Sequence, residues 1–155
     1  MRIFVAGPQA ISCLGKKVMN RLNNIYKNGF TVLVGDAAGV DKSVQQHFLN
    51  LGYQNIVVFA SEGRVRNNLG GWPVKAVPVP KGVRGFDFYA TKDKAMADNA
   101  DYGFMVWNGT SRGTRANIVN LLNQGKKVLV YLNHKDNFFV IDDFNKFDNL
   151  IKTGG

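Results

Sequence analysis

DYGFMVWNGTSRGTRANIVNLLNQGKKVLVY, residues Asp101 to Tyr131, reads as strand, loop, helix and strand, and this reading decides the fold. Tyr102 to Trp107 is a short apolar run bounded by Asn108-Gly109, the pattern of a buried strand that feeds a turn. Ile118, Leu121, Leu122 and Gln124 follow at helical spacing, with Asn117 and Asn120 on the opposite side and Gly125 where a C-terminal cap belongs. Lys127 to Leu132 reads as the next strand. Between the first strand and the helix stand Gly109, Thr110, Ser111, Arg112, Gly113 and Thr114. Glycines admit a ligand close to the backbone, free amides at a helix start attract an anion, and Arg112 offers a bidentate clamp. The competing reading is an ordinary glycine-rich turn with Ser or Thr as helix N-cap. Similar turn chemistry at other strand ends of the chain tilts the balance towards a ligand.

Working outward, Arg2 to Ala6 is strand-like and ends at Gly7-Pro8, and Ser12 is in position to cap a helix on which Val18, Leu22 and Ile25 share a face. Phe30 to Val34 is the next strand. Gly35, Asp36, Gly39 and Asp41 fall in the glycine loop after it, and Val44, Phe48 and Leu51 then mark a second helix. Ile56 to Ala60 is a third strand, ending at Ser61-Glu62. Residues 63–86 break into Gly, Pro, Arg and Asn and read as a long basic loop or flap, with a strand at Val74 to Val79 that Pro78 confines to a sheet edge. Phe88 to Asn99 reads as a helix with Lys92 and Asp93 in its first turns, and Ile141 to Ile151 as a terminal helix within a C-terminal extension, residues 133–155.

Strands alternating with helices predict a single α/β domain over residues 1–155: a Rossmann-like, doubly wound, mainly parallel sheet with helices on both faces. In such sheets ligands bind outside the carboxyl ends of the strands, where the strand order switches. The loops at Gly7, Gly35 to Asp41, Ser61-Glu62 and Gly109 to Thr114 all follow strands, so one pocket is expected to collect them.

Composition narrows the partners. With 155 residues, 45% of them apolar, the chain has enough material for a core without staples. No apolar run approaches the roughly 20 residues that span a bilayer, and no long signal-peptide core follows Met1, so a cytoplasmic location and no membrane partner are expected. The single cysteine, Cys13, excludes an internal disulfide, and His47 and His134 lack metal-ligand spacing. Neither a metal nor a cofactor is expected. A net charge of +9 points to an anionic partner. Lys16, Lys17, Arg21 and Lys27 read as a solvated helix face, whereas Arg64, Arg66, Lys75, Lys81 and Arg84 border the expected site. Trp72, Phe86, Phe88 and Tyr89, interleaved with Arg64, Arg66 and Arg84, also suit stacking of a single-stranded nucleic acid, or equally the loop's own small core.

Two segments carry a resemblance. VGDAAGVDKSVQQHF, residues Val34 to Phe48, resembles the second-loop signature of the SLOG superfamily, the Rossmann-like group that includes the DprA and LOG proteins. FYATKDKAMADNADYGFMVWNGTSRGT, residues Phe88 to Thr114, resembles the matching segment of its YspA-type branch, where a basic-Asp pair opens a helix ahead of the Gly-Thr loop. The resemblance covers residues 1–132 and implies a nucleotide-derived ligand, such as a nucleoside monophosphate or an ADP-ribose-like molecule, and a homo-oligomer. It implies phosphate at Gly113 and Thr114, flanked by Ser111 and Arg112, with Gly35, Asp36, Gly39 and Asp41 on the ribose or base side. Asp41 has an equal alternative as a helix N-cap, and Lys92 with Asp93 as a surface pair. In LOG-type phosphoribohydrolases the Gly-Thr pair is followed, after two intervening residues, by a glutamate, where this chain has Asn117. An amide hydrogen-bonds a ribose hydroxyl but is neither a base nor a carboxylate nucleophile. Binding or sensing is therefore the leading expectation. A phosphoribohydrolase-like N-glycosidase needs a substitute carboxylate among Asp36, Asp41, Glu62 and Asp93, with Asp36 and Asp93 the foremost candidates. The same asparagine counts against a nucleoside deoxyribosyltransferase.

Overall fold

The apolar runs become strands because a parallel sheet covered on both faces buries every residue of its inner strands. The structure, a computed structural model, describes residues 1–154. In chain order the elements are β1 (Arg2–Ala6), α1 (Lys16–Asn28), β2 (Thr31–Gly35), α2 (Val40–Asn50), β3 (Ile56–Ser61) and β4 (Val74–Val77), then α3 (Phe86–Asn99), β5 (Tyr102–Trp107), α4 (Arg112–Asn123), β6 (Lys127–Leu132), β7 (Asn137–Ile141) and α5 (Phe144–Gly154). The strands form one sheet in the order β4-β3-β2-β1-β5-β6-β7. All neighbours are parallel except β7, which runs antiparallel to β6. The expected doubly wound α/β architecture is present.

Alternation along each strand divides the core between two faces. Ile3, Val5, Val32, Val34 and Phe104 pack with Val18, Leu22 and Ile25 of α1 and Val44 and Phe48 of α2. Phe4, Leu33, Phe59, Met105 and Val130 pack with Met96 of α3, Ile118 and Leu121 of α4 and Phe147 and Leu150 of α5. From β1 the chain moves outward through β2, β3 and β4, then returns through α3 to β5 on the other side. The strand order therefore switches between β1 and β5, and the crevice at their carboxyl ends is where a ligand site is expected.

Several boundaries differ from the sequence reading. Helix α1 begins after Gly15 rather than at a Ser12 cap, and α3 begins at Phe86. Within segment 63–86 the expected edge strand is present as β4, but it ends at Val77, before Pro78, rather than at Val79. The part before β4 is tied to the body. The side-chain amide of Gln45 donates to the carbonyls of Gly35 and Asn67 and accepts from Leu69 N–H. Of the two roles open to Trp72, stacking surface or part of the loop's own small core, the structure shows the second: it is buried, and its indole N–H donates to the Tyr53 carbonyl. The C-terminal segment divides into β7 and α5. Ile141 closes the strand, and Asp143 starts α5 by accepting from Lys146 N–H at 2.8 Å. Among the described residues no helix is long and apolar enough to cross a membrane.

Phe4, fully buried on the central strand, supports the α3–α4–α5 face. Phe4→Ala is expected to cost about 3–5 kcal/mol in chemical denaturation, whereas Val140→Ala, at an exposed position, stays within about 0.5 kcal/mol.

Candidate functional site

At the switch point the loops after β1 and β2 nest against each other, and glycine makes this possible. A Cβ on Gly7 would lie 2.7 Å from the Val106 carbonyl oxygen and from Val40 Cγ2. Gly39 has φ 75°, and its Cβ would lie 2.4 Å from the Gln9 carbonyl oxygen. Neither position tolerates a side chain, so these glycines serve loop packing first. Above them opens a cavity of about 280 Å³, walled by the β1 loop, the start of α2, α3 and the first two turns of α4. That is just below the ~300–1,000 Å³ typical of small-molecule sites and suits a ligand of mononucleotide scale.

The loop after β5 is folded by its own polar groups. Asn108 Oδ1 accepts from the N–H groups of Thr110 and Ser111 and from the Thr110 hydroxyl. Ser111 is the N-cap of α4: its Oγ accepts from Thr114 N–H at 3.4 Å and from the Thr114 hydroxyl at 3.2 Å. The N–H groups of Arg112 and Gly113 fall in the first turn, where an α-helix offers no acceptor, and that turn contains no acid. A Cβ on Gly113 would meet nothing within 4 Å, so the approach to this turn is open.

Opposite, α3 brings a buried charge cluster. Asp36, at the end of β2, accepts from the N–H and guanidinium of Arg66 at 2.9 and 2.8 Å and from the Lys92 ammonium at 3.2 Å. Lys92 is only 3% exposed and lies 3.7 Å from Asp93 Oδ1, so it is not half of a surface pair. Burial alone would raise the Asp36 carboxyl, yet the Arg66 hydrogen bonds and the Lys92 charge hold it below the usual carboxylate range. Burial pushes Asp41 up to about 7 against the pull of Lys92. Burial also raises Asp93, with Lys92 and a hydrogen bond from Asn117 acting the other way.

The cavity thus collects Gly7, Asp41, Lys92, Asp93, Ser111, Arg112, Gly113, Thr114 and Asn117 from the expected set. Gly35, Asp36, Gly39, Gly109 and Thr110 are not among its lining residues. Gly35 instead leaves room for the charge cluster, since a Cβ there would sit 2.4 Å from Asp41 Oδ2. Asp41 does not cap α2, because Gly39 occupies the cap position; its Oδ2 accepts from Ala37 N–H at 3.2 Å. Glu62 lies away from the cavity and accepts from Val79 N–H. Asn117 does not face away from the apolar side: it is 3% exposed, and its Oδ1 has no hydrogen-bond partner.

Sequence reading assigned Phe86, Tyr89 and Arg66 to the basic flap and its surroundings, yet all three line this cavity. The i, i+3 spacing of Phe86 and Tyr89 on one helix was the signal that puts them on one face. Arg112 lies over the Phe86 ring at 3.9 Å and Arg66 over Tyr89 at 4.4 Å from the ring centroids. Exposed donors, at Arg112 and the α4 turn, therefore surround the mouth, while buried Asp41 and the free oxygen of Asn117 lie deeper, with the partly exposed carboxylate of Asp93 beside them. Among the described residues no group of three His, Cys, Asp or Glu side chains is arranged to hold a metal ion.

No protein-family model matches the sequence, and no curated protein matches it. Solved structures do. DNA processing protein A from Helicobacter pylori, described for its single-stranded DNA binding mode, aligns over 99% of this chain and 73% of its own with a TM-score of 0.64 and 11% identity. The structural-genomics target TM1055 aligns over 82% of this chain and 71% of its own with a TM-score of 0.56 and 21% identity. At these identities the likeness is one of fold.

Asp41 makes stability depend on pH. Folding raises its pKa from 3.8 to about 7, so the native state holds the extra proton and stability falls as pH rises through that window. The cost is complete above about 7. Asp41→Asn, which mimics the protonated form, should raise Tm over the wild type at pH 8, with the gain shrinking towards pH 4 in thermal denaturation.

Proposed function

We propose that this protein binds or senses a nucleotide-derived ligand, a nucleoside phosphate or ADP-ribose-like molecule, with its phosphate on the first turn of α4 beside Arg112. The observation that carries this reading is Asn117 Oδ1, buried and without a partner at the wall of a cavity that opens on that helix N-terminus. A buried acceptor left unpaired costs stability, so a donor from a ligand is the natural complement. Ribose hydroxyls suit the acceptor-rich floor, and phosphate suits the donors at the mouth.

The test separates binding from folding. Gly113→Asp puts an acid in an open first turn that lacks one, which favours the helix by about 0.3–1 kcal/mol while repelling an anion. The expected result is unchanged or slightly raised Tm without ligand, and loss of the stabilisation that AMP or ADP-ribose confers on the wild type. Stabilisation that survives the substitution would remove the phosphate assignment.

Single-stranded nucleic acid is the second reading, favoured by exposed Phe86 and Tyr89 with arginines on their faces and by the single-stranded DNA binding of the Helicobacter protein of similar fold. Oligonucleotide binding that weakens steeply with salt, with no response to mononucleotides, would favour it. For an N-glycosidase, Asp93 is the carboxylate to test, because it lines the cavity beside Asn117 while both oxygens of Asp36 are engaged. If free base is released from a nucleoside monophosphate, Asp93→Asn is expected to lower kcat by at least about 100-fold, the scale of a lost acid–base group.

A further inference from the structure

The two arginine–aromatic pairs at the cavity mouth are not equivalent. Arg66 is pinned: its guanidinium donates to Asp36 at 2.8 Å, and its backbone N–H donates to the same carboxylate at 2.9 Å, so it is fixed over Tyr89. Arg112 forms none of the ion pairs among the described residues. Its contact is the face of Phe86, at 3.9 Å. Phe86 is 38% exposed and lines the cavity at the first residue of α3, so its ring is positioned to meet a planar group entering the mouth. Arg112 is also the first residue of α4, next to the open Gly113 turn.

A guanidinium on an exposed ring gains only about two- to fivefold in equilibrium terms. A charge-assisted, bidentate pair with phosphate is stronger. An anion at the α4 turn therefore competes successfully for Arg112 and leaves the Phe86 face free for a planar base.

We propose that Phe86 is the base-stacking platform of this site and that Arg112 covers it until a phosphate binds, so that a phosphorylated nucleoside gains the stack and an unphosphorylated one does not. The inference rests on the nucleotide-binding reading above, and it names the ligand class more narrowly: a planar heteroaromatic base carried on a phosphorylated sugar.

Calorimetric titration with inorganic phosphate, adenosine and AMP tests it on the wild type, Phe86→Leu, Phe86→Trp and Arg112→Ala. Phe86 is partly exposed, so these ring substitutions leave the core intact. On the wild type, AMP is expected to bind roughly tenfold or more tightly than phosphate, the size of one base–aromatic stack. Phe86→Leu should remove the stacking part of that gain and leave AMP ahead of phosphate only by its ribose contacts, and Phe86→Trp should keep the full difference. Arg112→Ala should weaken phosphate yet improve adenosine by about two- to fivefold, since the cover is gone. AMP no tighter than phosphate, full AMP affinity in Phe86→Leu, or no gain for adenosine in Arg112→Ala would each overturn the platform and leave the phosphate site standing. Failure of both phosphate and AMP on the wild type would overturn the nucleotide-binding reading along with it.

Discussion

The buried carboxylate of Asp36 is the interaction on which the functional edge depends. An isolated carboxylate inside a core is too costly to keep charged, and it persists here because a guanidinium, a backbone N–H and an ammonium converge on it. Those partners come from different parts of the chain. Arg66 belongs to the segment after β3, and Lys92 belongs to α3, so one carboxylate at the end of β2 ties both to the sheet. Asn67 adds a hydrogen bond to the Asp36 carbonyl. The result is a fixed α3 wall, from which Asp93 and the aromatic rim meet the cavity.

The second constraint is the close approach of the loops after β1 and β2. Gly7 and Gly39 let the two backbones touch, which brings the start of α2 beside the crevice and buries Asp41. The floor then holds acceptors and a paired lysine, whereas the mouth holds donors. On α3, Asp93 brings a partly buried carboxylate to the cavity, where Asn117 of α4 hydrogen-bonds it.

Much of the architecture was legible because its signals are local. The runs at Arg2–Ala6 and Tyr102–Trp107 and the helical spacing of Val18, Leu22 and Ile25 need no distant partner to be read. The errors fell where local signals are shared. NFFVI before Asp143 suits either a strand or the lead into a helix, and only pairing with β6 makes it β7. Asn117 reads as lying opposite the apolar stripe of its helix, yet it is buried, with Asp93 of α3 beside it.

The sequence by itself determined the alternation of strands and helices, the crevice at the switch point and the Ser/Thr-capped, acid-free start of α4, because periodicity, glycine loops and helix caps act over a few neighbouring residues. Only the tertiary structure decided which polar residues face the cavity and which hold its wall. Asp36 and Lys92 are 56 residues apart, and their pairing turns Asp36 away from the cavity while setting Asp93 within it. That choice is made by desolvation and charge pairing across elements, a physics that one-dimensional spacing does not carry.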